Sequence, residues 1–341
     1  MTVRTLVIDD SPTMRAMIST LLASDPEIEV IGTAPDTAIA RTLIKELDPD
    51  VITLDVEMPG MNGLDFLDKI MRLRPTPVVM VSTLTQQGAD ATIRALELGA
   101  FDCYPKPNGS LREAASRDHA ALPQMVKGAA RSRRRGAGTM AVARPPEIYR
   151  PRAGALVAIG SSTGGVEALV QLLGQWPAEC PPTLIVQHMP AMFTKSFADR
   201  LDRLCRAQVA EATSGAPLLP GHVYIAPGGE RHLELLGGAP ERCRLIADEL
   251  TSGHRPSVDR LFHSVAKIAG KRAVGAILTG MGADGAKGLK AMRDSGAFTI
   301  GQDEATCVVY GMPGAAKAMG AVEIQLPLER IAGRLLAECQ A

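Results

Sequence analysis

The chain predicts two doubly wound α/β domains, each a parallel sheet flanked by helices, joined by a basic segment. Three observations carry this. Short apolar runs alternate with helical periodicities in two separate blocks, the residues that follow those runs are polar and chemically apt, and the composition shifts to Arg, Gly, Ala and Pro between the blocks. A length of 341 residues suits two cores of ordinary size.

In the first block, the runs at 5–8, 29–33, 51–54, 78–81 and 101–104 read as buried parallel strands. Between the first two, Met14, Met17, Ile18, Leu21 and Leu22 form a helical stripe, entered through Ser11 as N-cap and Pro12 at the first helical position. The five units make a domain over 1–122. From 123 to 152 periodicity fades, and the run "RSRRR" at 131–135 has no interleaved aromatic, so this stretch reads as a solvated basic linker. Strands resume at 155–159, 183–187, 223–226, 273–279 and 299–301, which places a second α/β domain over 153–341.

Lys+Arg and Asp+Glu are both 37, giving a net charge of +0 that argues against nucleic acid as a general partner. The opening "MTVRTLVIDDSP" brings acids after a short apolar stretch, and no later run approaches spanning length. Neither a leader nor membrane insertion is therefore expected, and the expected location is the cytoplasm. Cys103, Cys180, Cys205, Cys243, Cys307 and Cys339 are scattered without metal-ligand spacing and read as reduced core thiols.

In open parallel sheets ligands bind beyond the carboxyl ends of the strands. In the first domain those positions hold Asp9 and Asp10, then Asp55, Ser82 and Lys106. Three converging carboxylates repel one another unless a hard cation such as Mg²⁺ lies among them, and the added lysine and hydroxyl suit a phosphoryl group on Asp55. The plainer alternative makes these acids helix caps and turn residues.

In the second domain the stretch "ALVAIGSSTGGVEAL", 155–169, is a strand-to-helix turn that fits either a phosphate-cradling loop or an exposed nucleophile. The dinucleotide fingerprint wants glycine where Ser162 stands, whereas Gly160, Ser162 and Gly164 spell G-x-S-x-G. A dinucleotide loop also wants an acid at the end of the next strand, and the chain has His188 there, a side chain suited to general base work. A third strand runs into "TGMGADG", which carries Asp284. Ser162, His188 and Asp284 make a triad in which Asp284 orients His188 and His188 activates Ser162; the competing role for Asp284 is N-cap of the helix that follows. The order Ser, His, Asp is not that of α/β-hydrolases.

The first constellation, followed by "DVEMPGMNGLDFL", resembles a response-regulator receiver domain of flavodoxin-like fold. The resemblance implies that Asp55 accepts phosphate from a CheA-like sensor histidine kinase, that Asp9, Asp10 and Asp55 hold Mg²⁺, and that Ser82 and Lys106 meet the phosphoryl oxygens. Cys103 stands where receivers usually place an aromatic switch residue, and Pro105 precedes the lysine. The stretches "AIGSSTGG", "QHMPAMFTKSFADRL", "YIAPGG", "HRPSVDRLF", "TGMGADGAKGL" and "QDEATCVVYGMPGAA" resemble the chemotaxis protein-glutamate methylesterases, the CheB family. That resemblance implies a Rossmann-like catalytic domain without a cofactor of its own, Ser162 as nucleophile, His188 as base, Asp284 as orienter and the Met281 N–H at the oxyanion. It further implies methylated chemoreceptors as substrate, deamidation of receptor glutamines, and restraint of the catalytic domain by the unphosphorylated receiver. A monomer is expected. Ser257 reads as an N-cap without a catalytic role. The rival reading from another class is a phosphorylation-controlled binding module whose second domain no longer catalyses.

Overall fold

The computed structural model describes residues 2–58, 61–82, 86–106, 121–135 and 149–341. The chain divides into two compact units, Met1–Thr139 and Met140–Ala341. Among the described residues no helix is long and apolar enough to cross a membrane.

The first unit runs β1 (Val3–Ile8), α1 (Pro12–Ala23), β2 (Ile28–Ala34), α2 (Thr37–Leu47), β3 (Val51–Asp55), α3 (Gly63–Leu73), β4 (Val78–Ser82), α4 (Gln86–Glu97), β5 (Asp102–Pro105) and α5 (Ala121–Arg135). Its five strands are parallel in the order β2-β1-β3-β4-β5, so the strand order reverses between β1 and β3. The crevice at that reversal lies beyond Asp9 and Asp55. Helix α1 starts as expected, with Ser11 accepting the Met14 N–H.

Helix α5 corrects the expected boundary. The stretch from Pro123 was expected to be linker, yet Leu122, Met125, Val126, Ala129 and Ala130 recur at helical spacing and are buried with Val3, Val7, Val79, Val81 and Tyr104. Lys127 pins the helix to the start of β2 through Asp25 at 2.7 Å and Glu27 at 2.9 Å. Alanine and glycine on this stripe, followed by arginines, conceal its apolar face in the sequence. The rest of the expected linker up to residue 148 lies outside the described residues.

The second unit runs β6 (Leu156–Ser161), α6 (Gly165–Leu173), β7 (Thr183–Gln187), α7 (Ala191–Leu204), β8 (Gln208–Glu211), β9 (His222–Ile225), β10 (His232–Leu236), β11 (Arg242–Ile246), α8 (Val258–Ile268), β12 (Ala273–Ile277), α9 (Ala286–Asp294), β13 (Phe298–Gln302), α10 (Met312–Ala318), β14 (Ile324–Leu326) and α11 (Leu328–Cys339). Seven strands form a parallel sheet in the order β14-β13-β12-β6-β7-β9-β8, while β10 and β11 form a separate antiparallel hairpin. The strand order reverses beside β6, between β7 on one side and β12 on the other, and this switch point is where ligands enter such sheets. The apolar face of α8, with Leu261, Phe262 and Val265, packs into one cluster with Leu233, Leu235 and Cys243 of the hairpin. Near the other end of the unit, the Tyr149 hydroxyl donates to Leu336 O at 2.9 Å and Arg152 N–H to Cys339 O at 2.6 Å, so residues just ahead of β6 are tied to α11.

Candidate active site

Ser162 follows β6 directly and is half-buried. Its backbone is held on three sides: its N–H donates to Thr279 O at 3.0 Å, and its carbonyl accepts the Gly165 N–H at 2.7 Å and Gln187 Nε2 at 2.9 Å. The surrounding glycines are explained by protein packing. A Cβ on Gly160 would overlap the side chain of Val258, one on Gly165 would overlap Gln187 Oε1, and one on Gly280 would stand 2.7 Å from Ser162 Cβ. Gly164 takes φ +76° to turn the chain into α6. The G-x-S-x-G spacing thus presents Ser162 on a tight turn braced by the neighbouring strand, and every glycine is accounted for without a phosphate.

His188 follows β7, with its N–H donating to Ser161 O at 3.0 Å. Its ring bonds Asp284 through Nε2 at 2.8 Å, and its Nδ1 is buried without a partner. Among the described residues no hydrogen bond joins the Ser162 hydroxyl to His188; Nδ1 is the nitrogen left available to it. The structure therefore brings His188 and Asp284 together as expected, and places Ser162 one strand away at the same sheet edge.

Asp284 is buried and does not cap the helix that follows it, whose N-cap is Gly285. Instead its carboxylate closes the N-terminus of α8, receiving the Val258 N–H at 2.7 Å, the Asp259 N–H at 3.1 Å and the Ser257 hydroxyl at 2.8 Å. Burial pushes its pKa up, but the bond and charge of His188 together with those two N–H groups outweigh it and hold the carboxyl below its ordinary value. Ser257 is the N-cap of α8, accepting from Arg260, and in addition fixes Asp284. Sequence reasoning found the cap and missed the second bond. It also missed His254, whose ring stacks on that of His188 with centroids 3.9 Å apart and planes at 8°. A lone histidine in a loop carries no sign of which ring it covers.

At the proposed oxyanion position, Gly280 is held by Val309 O, Gly311 N–H and Met312 N–H. The next N–H, that of Met281, has no acceptor among the described residues, and Gly282 at φ +81° turns the chain away.

In the first unit, Asp9 and Asp55 are buried, Asp10 is exposed, and single ligand atoms of all three lie within 4.8 Å of one another. Lys106 Nζ reaches Asp55 Oδ2 at 2.8 Å and Asp9 Oδ2 at 3.2 Å. Burial, with Asp9 nearby, raises the Asp55 pKa to about 6 against the pull of Lys106, and burial raises Asp9 as well. Burial lowers Lys106, but the two carboxylates overcome it and leave its pKa raised. One ammonium therefore pairs with two of the three clustered carboxylates, and Asp9 Oδ2 has an ion-pair contact but no well-directed hydrogen bond. Hard oxygen donors with excess negative charge fit Mg²⁺. Asp10 and Lys106 also line an open cleft of about 590 Å³ with Glu57 and Asn62. Ser82 ends β4, is buried, and accepts the Lys106 N–H on its carbonyl at 2.7 Å. Pro105 lies in β5, the edge strand, where a missing N–H is tolerated. Cys103 Sγ contacts Thr92 O at 3.8 Å.

Comparison with known proteins finds relatives of both units. Residues 157–335 match the family model of the CheB methylesterase, and residues 5–115 that of the response regulator receiver domain. A protein-glutamate methylesterase/protein-glutamine glutaminase of Rhizobium etli is 59% identical over 335 residues, covering 98% of this chain and 95% of its own. A protein of Caulobacter vibrioides with the same name, numbered 1, is 57% identical over 336 residues, covering 98% of this chain and 97% of its own. The crystal structure of the Thermotoga maritima CheB methylesterase catalytic domain matches with a TM-score of 0.53 at 39% identity, covering 55% of this chain and 99% of that one. A receiver domain with its acidic crevice, followed by a methylesterase domain with a serine at its switch point, places this chain in the CheB methylesterase family.

Proposed function

We propose that this protein hydrolyses glutamate γ-methyl esters on chemoreceptors through Ser162, His188 and Asp284, and that phosphorylation of Asp55 controls the rate. The observation that carries the catalytic part is the bond from His188 Nε2 to Asp284 Oδ2, which commits one ring nitrogen and leaves the buried Nδ1 for the serine proton. Ser162 Oγ attacks the ester carbonyl as His188 Nδ1 takes its proton. Asp284, ionised and short of its ordinary pKa, stabilises the imidazolium. The Met281 N–H, which has no acceptor among the described residues, is the donor for the tetrahedral oxyanion in this reading. The C–O bond then breaks, methanol leaves with the proton from His188, and water repeats the sequence on the acyl-serine to release the glutamate carboxylate. With a glutamine side chain the same steps release ammonia.

In the receiver, Asp55 is the acceptor of the phosphoryl group from a histidine kinase; Asp9, Asp10 and Asp55 would hold Mg²⁺, which when bound supplies positive charge to the phosphoryl oxygens. Lys106 and Ser82 stand at the same strand ends to meet those oxygens.

Methanol release from methylated receptor fragments, with and without a phosphodonor, tests the reading. Release that rises on phosphorylation and vanishes in Ser162→Ala is expected. No release under either condition would favour a phosphorylation-controlled binding module.

A further inference from the structure

His254 belongs to neither expected constellation, yet it covers one face of the His188 ring at 3.9 Å and within 8° of parallel. Its ring makes no hydrogen bond among the described residues, so the stack is its side chain's contact of note. The loop that presents it is held tightly. Thr251 and His254 exchange both backbone hydrogen bonds, at 3.1 Å and 3.0 Å, across Ser252 and Gly253. Both central residues are left-handed, φ +54° and +80°, the turn that usually takes Asn-Gly. Serine there is strained, and its hydroxyl is tied to Asp259 Oδ2 at 3.0 Å. The neighbouring Arg255 is turned elsewhere, to Gly229 O and Asp248 O. Among the described residues, the charges that act on the His254 ring are those of His188 and Asp284.

We infer that His254 is a positioning residue that fixes the plane of the His188 imidazole, so that the Asp284 bond alone decides where Nδ1 points. A hydrogen bond at Nε2 leaves the ring free to swing about that bond; a flat surface against one face removes the swing. An aromatic face also suits the imidazolium that forms during the reaction. For this the covering ring must stay uncharged, and burial, with His188 beside it, lowers the His254 pKa to about 4.

The inference rests on His188 as the base, and the experiment separates the two. Methanol release is measured for the full chain carrying His188→Ala, His254→Ala, His254→Leu and His254→Phe, with thermal midpoints recorded for each. If His188 is the base, His188→Ala abolishes turnover. His254→Ala and His254→Leu, which lack a flat face, should lower kcat about 10-fold or more with KM little changed, because a misdirected base costs the reaction and spares binding. His254→Phe restores the face and should keep kcat within about 3-fold of the parent, an effect under 1 kcal/mol. Equal kcat in the Leu and Phe variants overturns the positioning role, whether both are high or both low, and that comparison stands even where the Ala variant does not fold. Turnover surviving in His188→Ala overturns the base assignment instead.

Discussion

Asp284 Oδ2 lies 2.8 Å from His188 Nε2 and 2.7 Å from the Val258 backbone nitrogen, so one carboxylate oxygen joins the proposed base to the start of a helix. Asp284→Asn replaces that oxygen or its twin with an amide and removes the charge. Turnover should fall by about 10³-fold to 10⁴-fold, and the thermal midpoint should fall too, since a carboxylate receiving four donors is lost. The folded pKa lies below the ordinary one, so the ionised carboxylate stabilises the fold fully above the ordinary carboxylate range and loses this effect as pH falls through the folded value. The stability difference between parent and variant should be largest near neutrality and shrink in acid. Unchanged turnover would leave Asp284 as a helix cap alone.

Adjacent serines should separate activity from stability. Ser161 is buried and its hydroxyl donates to Gln187 Oε1 at 2.6 Å, whereas Ser162 is half-buried at the sheet edge. Ser162→Ala should abolish methanol release with an unchanged thermal midpoint. Ser161→Ala should retain turnover while losing about 1–3 kcal/mol of stability, because a buried acceptor is left without its donor. A dead Ser161→Ala beside an active Ser162→Ala would reverse the assignment.

The receiver pocket predicts a pH-dependent cost. With its folded pKa raised to about 6, Asp55 destabilises the fold when ionised; the penalty is absent below the unfolded value, grows between that value and pH 6, and is complete above it. Asp55→Asn should therefore raise the receiver's unfolding free energy at pH 8, by at most on the order of 3 kcal/mol, and its midpoint with it, with the advantage fading as pH falls below 6. Added Mg²⁺ should raise the parent's midpoint at pH 8 more than the variant's. Equal midpoints at pH 8 and no response to Mg²⁺ would remove the strain assigned to this pocket.

Control by the receiver is tested by shortening the chain. Because Tyr149 and Arg152 are bonded to α11, a catalytic fragment should begin at Met140 so that these ties survive. It should hydrolyse receptor methyl esters faster than the unphosphorylated full chain, and Asp55→Asn should hold the full chain at its low rate with kinase and Mg²⁺ present. Equal rates for fragment and full chain would argue against restraint by the receiver.

What was legible in the sequence was whatever sits at a strand end. Asp9, Asp55, Ser82, Ser162 and His188 follow or finish apolar runs, and the sheet rule alone predicts that each set converges. Asp284 was legible as a residue but not in its geometry, since no local pattern says that it closes α8 across 25 residues or more. The strands β8 and β14 are too short for a periodicity, and the alternation of β10 and β11 is diluted by Glu234, Arg242 and Arg244. Helix α5 was hidden because a stripe built partly from alanine carries little hydrophobic signal, though its spacing is regular.

Val258 meets the site three ways: its N–H binds Asp284, and its side chain occupies the space that a Cβ on Gly160 or on Gly285 would need. Positions 160, 258 and 285 therefore share a single allowance of volume around the serine strand and the aspartate turn. Among descendants of such a sequence, a larger residue at 160 requires a smaller one at 258. Position 285, at φ +92°, stays glycine even then, because shrinking its neighbour relieves crowding without relieving its backbone. Gly160→Ala should thus be poorly tolerated alone and partly recovered by Val258→Ala, while Gly285→Ala should find no such suppressor.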